Sequence, residues 1–101
     1  MTEAAISRNG VSIRLPDERW EHIIERHAIL TDQKALVLET IAQPTRILEG
    51  KEGALMAIQE IEPGKMLVVV YKEVSPEDGF VVTAFPTRRL SSLNQRQQVW
   101  P

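Results

Sequence analysis

Residues 66–71 read MLVVVY, the longest uninterrupted apolar run in the chain. Successive side chains of a strand point to opposite faces, so this run presents apolar groups on both sides. Such a strand needs cover on both faces, or nearly so, which favours a central position in a sheet. The run is far shorter than the roughly 20 residues that a helix needs to span a bilayer. We therefore predict a central β-strand in a domain with no membrane partner.

The sequence on both sides of this strand predicts an antiparallel meander. Residues 62–65 (EPGK) place proline and glycine at the two central positions of a type II turn. Residues 75–79 (SPEDG) predict the next loop, and residues 80–85 the strand after it. Residues 54–61 predict the strand before the turn, although their Ala, Leu and Met leave a helix as an open alternative. Short connections join such neighbouring strands in antiparallel order.

The first half of the chain predicts two helices. Pro16, Asp17 and Glu18 are typical of a helix start. One face of the first helix carries three apolar side chains and a histidine at helical spacing, namely Trp20, Ile23, Ile24 and His27. A second helix is predicted to be capped by Thr31-Asp32 and to stop at Pro44.

Before the helices, Asn9-Gly10 is a hairpin-turn signal, and the alternation from Val11 to Leu15 favours a strand after it. The predicted fold is therefore α+β: an N-terminal strand or hairpin, two helices, and an antiparallel β-meander with the helices packed on one face. We predict a single domain over residues 1–101, with its core at about 11–90. For the polar tail at 91–101 the sequence leaves two alternatives: flexibility, or docking through Trp100.

Composition excludes several classes of function. The chain has 101 residues, 43% of them hydrophobic and 26% charged, and no cysteine, so disulfides and thiolate chemistry are excluded. Its five glycines form no phosphate-binding loop. His22 and His27 do not share a helix face and make a poor metal pair. We expect no cofactor and no metal, and the absence of a signal-peptide pattern predicts a cytoplasmic location.

Charge is unevenly distributed along the chain. The formal net charge is −2, which argues mildly against a nucleic-acid partner. Asp78 is the last acidic residue, so residues 79–101 carry +3 and residues 1–78 carry −5. The overall figure therefore hides a basic C-terminal end.

Two neighbouring side chains on the first helix are the strongest chemical candidates. His27 occupies the apolar stripe, where it is either a packed histidine or a general acid or base, because imidazole titrates near neutral pH. Arg26 either pairs within the helix with Glu21 or Glu25, or turns its guanidinium toward a phosphate. The two residues alone do not choose between these alternatives.

The sequence also resembles a known group of nuclease domains. Residues 19–27 (RWEHIIERH), a second helix ending at Pro44, and a last strand reading VVTAFP at 81–86 are similar to the small phage- and toxin-associated nucleases of the barnase–EndoU–colicin E5/D–RelE superfamily. The similarity covers about residues 11–90. It implies helices before an antiparallel sheet, and metal-independent cleavage of RNA by residues that face one concave side of that sheet.

The resemblance implies roles for individual residues. It assigns catalysis to His27, Arg26 and Thr83, and it leaves the second proton-transfer group undefined. Substrate binding is expected from four further side chains: Lys72, Arg88, Tyr71 and His22. Thr83 and Arg88 have plainer alternatives, as a strand-forming residue and as a solvated arginine near the chain end.

The expected partners are single-stranded RNA as substrate and an antitoxin or immunity protein. A non-catalytic module that binds protein or RNA on the same fold is the alternative function. The acidic net charge and the missing second catalytic group motivate this alternative.

Overall fold

The computed structural model describes residues 2–101, so Met1 of the predicted domain lies outside the described residues. The first half contains a hairpin and two helices: β1 (Glu3–Ile6), β2 (Ser12–Leu15), α1 (Asp17–Arg26), a 3₁₀ turn (Ala28–Leu30) and α2 (Lys34–Ala42). The second half contains strands and a short helix: β3 (Arg46–Glu49), β4 (Leu55–Glu62), β5 (Lys65–Glu73), β6 (Gly79–Thr87), α3 (Leu90–Asn94) and β7 (Gln98–Trp100). The predicted α+β class, the N-terminal hairpin and the meander are confirmed.

The strands form one mixed sheet in the order β1-β2-β6-β5-β4-β3-β7. Neighbouring strands are antiparallel except β2 and β6, which run parallel and pair at Gly79 and Phe80. Strand β5 stands in the middle, as the apolar run at residues 66–71 predicts. A parallel pair needs a crossover, and the helices and the remaining strands of the meander lie in that connection.

The two faces of the sheet are covered differently. Helices α1 and α2 cover one face, where Leu67, Val69 and Tyr71 of β5 are fully buried. On the opposite face, Leu93 of α3 packs against Val68 and its neighbours. We call the first the helix face and the second the open face, because α3 covers it only in part.

The ends of the helices differ from their predicted positions. Helix α1 starts after Pro16, as predicted, but it ends at Arg26, so His27 is its C-cap with a non-helical backbone. Helix α2 starts at Lys34 and has no side-chain cap. The predicted Thr31-Asp32 cap is therefore wrong, because the Thr31 hydroxyl donates instead to the Ala28 carbonyl at 2.6 Å within the 3₁₀ turn.

The C-terminal residues are built into the sheet. Residues 90–94 form α3, and β7 pairs with β3 at Ile47–Trp100 and Leu48–Gln98. The Arg8 guanidinium lies 4.8 Å from the centre of the Trp100 ring, so a contact joins the hairpin loop to the last strand. Of the two alternatives for this tail, the structure has the docked Trp100.

No helix within residues 2–101 is both long enough and apolar enough to cross a membrane.

Candidate functional site

A β-bulge in β6 determines which side chains reach the open face. Tyr71 of β5 pairs with Val81, but Val70 pairs with Thr83, so Val82 is an extra residue without a partner. Phe80 and Phe85 are five positions apart, and a regular strand would place them on opposite faces. The one-residue bulge brings both to the same face, which is how bulges re-aim side chains near functional sites.

A pocket of about 400 Å³ lies on the open face above these residues. Its apolar lining comes from β4, β5 and β6: Met56, Val70, Phe80, Val82 and Phe85. Its charged lining is Lys51, Glu52, Lys72 and Arg96. We call it the open-face pocket. The sheet thus presents a partly exposed aromatic floor with mainly cationic side chains around it.

Two further pockets lie between α1 and the outer edge of β6. Beyond Phe80, where the pairing with β2 ends, this edge lies beside α1. One pocket, of about 350 Å³, is lined in part by Arg14, Arg19 and His22, and the other, of about 320 Å³, by Arg19, His22, Arg26, Val82 and Thr83. Because they share Arg19 and His22, they form one groove, which we call the α1 groove.

The α1 groove and the open-face pocket are adjacent. Phe80 lines the groove on one side and the pocket on the other, and Val82 does the same further along β6. Strand β6 is therefore a low ridge between two cavities. A chain-like ligand that crosses this ridge contacts α1, β6 and the centre of the sheet.

The cavities concentrate positive charge. Six of the twelve Lys and Arg residues of the chain line them, against two of its fourteen acids, Glu18 and Glu52. The ion pairs formed by residues 2–101 use other cations, with Arg14 as the one exception. The acidic net charge of the chain is therefore reversed at this surface.

Arg14 is the groove cation that has a carboxylate partner. Its Nε and Nη2 donate to the two carboxylate oxygens of Asp78 at 2.8 and 3.0 Å. The hydrogen bond from Arg14 lowers the pKa of Asp78 below its ordinary value. This exposed pair links β2 to the loop before β6, next to the two positions where these strands pair.

His27 contacts Phe85, one of the residues that line the open-face pocket. It is partly exposed, and its ring centre is 6.2 Å from that of Phe85, within the range of aromatic contacts of about 4.5–7 Å. The expectation that His27 lies in the apolar stripe of the helix is wrong, because α1 ends at Arg26. His27 is the C-cap with a non-helical backbone, and its imidazole lies beside β6.

The structure brings together three of the predicted site residues in the α1 groove, Arg26, Thr83 and His22. Lys72 lies across the β6 ridge in the open-face pocket. His22 is exposed, as expected from its helix position, yet it shares the groove with Arg26 and Thr83. These four residues, which were predicted for one concave face, thus line two cavities that meet at β6.

Two predicted substrate contacts lie elsewhere. Tyr71 is fully buried on the helix face, because the odd positions of β5 point toward the helices, and burial raises the pKa of its phenol. Its hydroxyl has no hydrogen-bond partner among the described residues. This burial corrects the expectation that Tyr71 contacts a substrate.

Arg88 is at the far end of β6. Its guanidinium donates to the Pro63 carbonyl at 3.2 Å and lies 3.6 Å from a Glu62 carboxylate oxygen. These contacts hold it against the turn between β4 and β5, away from the lining of the groove and the pocket. The expectation that Arg88 joins the phosphate-binding group is therefore corrected.

Sequence reasoning missed most of the pocket lining. Arg19 lies within the quoted helix motif, three residues before His22 and seven before Arg26. This spacing places the three side chains on one helix face, so Arg19 could have been predicted as a groove cation from the sequence. Lys51 and Arg96 come from a loop and from the C-terminal segment, and no local pattern connects them with β6. The shared face of Phe80 and Phe85 depends on the bulge, for which the alternation of β6 gives no signal.

Within the described range, His, Asp and Glu side chains form no group of three or more that would hold a metal ion. No family model, curated protein or solved structure matches this chain. The resemblance to the barnase–EndoU–colicin E5/D–RelE superfamily therefore stays a prediction from sequence.

Proposed function

We propose that this protein binds single-stranded RNA across β6 and cleaves it by general acid–base catalysis without a metal. The observation that carries the proposal is the reversal of charge. A chain of net charge −2 places six cations in the two cavities that flank β6, one of which has a partly exposed aromatic floor. Of its two histidines, His22 lines the α1 groove and His27 contacts Phe85 of that floor. Phosphates need cations, and unstacked bases need aromatic surfaces.

The proposed reaction is an internal transfer within RNA. A base removes the proton of a ribose 2′-hydroxyl, and the oxygen forms a bond to the adjacent phosphorus. The bond from phosphorus to the leaving 5′-oxygen breaks, and an acid gives that oxygen a proton. The products are a 2′,3′-cyclic phosphate and a free 5′-hydroxyl, so no oxidant or further reactant is consumed.

The side chains that border β6 fit the parts of this reaction. His27 and His22 are the candidates for acid and base, because imidazole is the side chain that most often transfers protons in catalysis. Arg26 and Lys72 would stabilise the charge that develops on the phosphate oxygens. The Thr83 hydroxyl, next to Arg26 in the groove, would donate a hydrogen bond to one of them.

The test is cleavage of a single-stranded RNA by purified protein in excess EDTA. We expect His27→Ala to slow cleavage by about 10²–10⁴-fold, because general acid–base catalysis is worth that much. A substrate whose 2′-hydroxyl is replaced by hydrogen should bind and stay intact. Cleavage products should carry the cyclic phosphate.

The control for His27→Ala is that the variant keeps the wild-type fold, which far-UV circular dichroism and the melting temperature measure. RNA that stays intact with the wild-type protein at every pH from about 5 to about 9 would remove the catalytic part of the proposal. Equal cleavage by the wild type and by His27→Ala would remove His27 from the mechanism.

A binding module without catalysis is the second candidate. The observation that favours it is the separation of the histidines, since His22 lines the α1 groove and His27 contacts Phe85. It predicts RNA binding by the same cations with no cleavage, and no change in that binding for His27→Ala. A toxin role would in addition require a protein antagonist. Expression of the chain in growing cells tests the toxin role: we expect growth arrest with the wild type and normal growth with His27→Ala.

A further inference from the structure

We infer that the open-face pocket is a site for one unpaired nucleobase of a single-stranded RNA, stacked on Phe80 beside the rest of the apolar floor. This inference rests on the proposed RNA binding and names the part of the RNA that the pocket accepts. It is separate from the α1 groove, where Arg26 and Thr83 lie. The bound nucleotide would have its base in the pocket and its backbone over the β6 ridge.

The first argument is the apolar floor itself. Phe80 and Phe85 are only partly buried, whereas the equivalent surface on the helix face is sealed by α1 and α2. Met56 and Val70 extend this floor across β4 and β5. Stacking on such a surface is tolerant of sequence, because every base has a flat π-face, and unpaired bases are the ones free to stack.

The second argument is the size and enclosure of the pocket. Its volume of about 400 Å³ falls within the range of about 300–1,000 Å³ that is usual for small ligands. Gly50 forms part of its wall, where a Cβ would come within 3.3 Å of the Met56 Cγ and 3.2 Å of the Ala54 carbonyl oxygen. The loop between β3 and β4 therefore lies against Met56 and forms one side of the pocket.

The third argument is charge at the rim. Lys72 and Arg96 line the pocket together with Lys51, and Arg96 donates to the Glu49 carbonyl at 3.3 Å, which holds its guanidinium near the loop. Glu52, on the same loop as Lys51, repels phosphate. We therefore place the phosphates of the bound nucleotide toward Lys72 and Arg96. A cationic rim would add no favourable contact to a bound apolar peptide segment.

The experiment uses the full chain and a set of short single-stranded RNAs, each with 2-aminopurine at one position. Its fluorescence changes when the base leaves its neighbours in the strand and stacks on a protein ring. We expect the 2-aminopurine fluorescence to change on addition of the wild-type protein at one position of the RNA only. If the RNA can bind in several alignments, we expect one responding position for each alignment. The bound oligomer should also have a Kd that rises with salt.

The main variant is Phe80→Leu, which removes the ring and keeps an apolar side chain of similar size. We expect the 2-aminopurine response to disappear and the Kd to rise about 5- to 150-fold, which corresponds to the loss of one base–aromatic stack. Ile29→Ala is the matched control, because Ile29 is an exposed apolar residue outside the groove and the pocket. Its Kd and fluorescence response should equal those of the wild type.

A second variant keeps the inference testable if Phe80→Leu does not fold. Lys72→Ala should weaken binding and reduce the salt dependence, with a smaller fluorescence response. Wild-type binding without a response at any position, or with a response that Phe80→Leu leaves unchanged, would overturn the base pocket while RNA binding stands. No binding of any RNA at low salt would overturn the proposed function and this inference together, and binding of an apolar peptide instead would do the same.

Discussion

The two faces of the sheet both carry apolar side chains, but they differ in how far those side chains are buried. On the helix face, β5 contributes Leu67, Val69 and Tyr71, all fully buried beneath α1 and α2. On the open face, the neighbouring Val68 is buried beneath α3, but Val70 and Lys72 are left partly exposed. One face is thus closed by the chain itself, and half of the other is left to the solvent or a ligand.

This difference separates stability from function within one strand. A closed face contributes to the free energy of folding through burial, at about 25 cal/mol per Å² of apolar surface. A partly exposed aromatic floor contributes less to folding, and part of its surface stays accessible. An uncovered apolar surface with a charged border is typical of a binding site. Substitutions on the two faces should therefore have different readouts.

The largest expected effect is on the helix face. Leu67→Ala removes a fully buried side chain and leaves a cavity, so the free energy of unfolding should fall by about 2–5 kcal/mol. Phe80→Leu on the open face should cost much less. Chemical denaturation of both variants checks the comparison, and losses of equal size would mean that the open face is as closely packed as the helix face.

The next effect is on RNA affinity at the α1 groove. Arg26→Ala should raise the Kd about fivefold, because an exposed ion contact contributes about 1 kcal/mol. The slope of log K against log salt should fall by about 0.7, the amount for one phosphate of a single strand. Arg89→Ala is the matched control, since Arg89 is exposed and outside both cavities. A similar change in the Arg89 variant would show that the contact is not localised.

A smaller effect is expected from the buried phenol. Tyr71→Phe removes a hydroxyl that has no partner among the described residues, so the free energy of unfolding should rise by up to about 1 kcal/mol. The Kd for RNA should not change, because Tyr71 faces the helices. Thermal unfolding and an RNA titration check both parts. Weaker RNA binding by this variant would restore Tyr71 as a substrate contact.

The smallest effect concerns the Arg14–Asp78 pair. The pKa of Asp78 is lower in the folded protein than its ordinary 3.8, so the pair contributes stability above about pH 4. That contribution is lost as the pH falls through the lower folded-state pKa. The melting temperature of Asp78→Asn should therefore lie slightly below that of the wild type at pH 7, and the two should converge in acid.

Asp32→Asn is the control for this pH dependence, because Asp32 is an exposed acid outside the ion pairs of residues 2–101. It should show no such convergence. A difference between Asp78→Asn and the wild type that stays constant from pH 7 into acid would contradict the assignment of the effect to this carboxylate.

The sequence predicted the fold where local patterns determine it. The apolar run at residues 66–71 identified the central strand, and Asn9-Gly10 identified the hairpin, because turn chemistry and alternation act over a few residues. Strands β3 and β7 were not predicted. They are short, and their place depends on pairing between Ile47 and Trp100, which are far apart in the chain.

The candidate site was predictable only in part. Arg26 and His22 lie on one helix, so their spacing was visible, and Thr83 was brought in by resemblance. The contribution of Lys51 and Arg96 depends on tertiary contacts between segments that share no pattern. Tyr71 was misplaced because the end of an apolar strand does not reveal which face its last ring occupies.

The single unpaired residue in β6 has a consequence for how this strand tolerates change. A substitution at Val82 alters one side chain, and deletion of Val82 would remove the bulge while leaving Thr83 and Phe85 opposite Val70 and Val68, on the open face. If Val82 instead paired with Val70 in a regular strand, Thr83 and Phe85 would turn toward the helices and the small Ala84 would turn outward. The exposed surface of this strand therefore depends on its register with β5 as much as on its residue types.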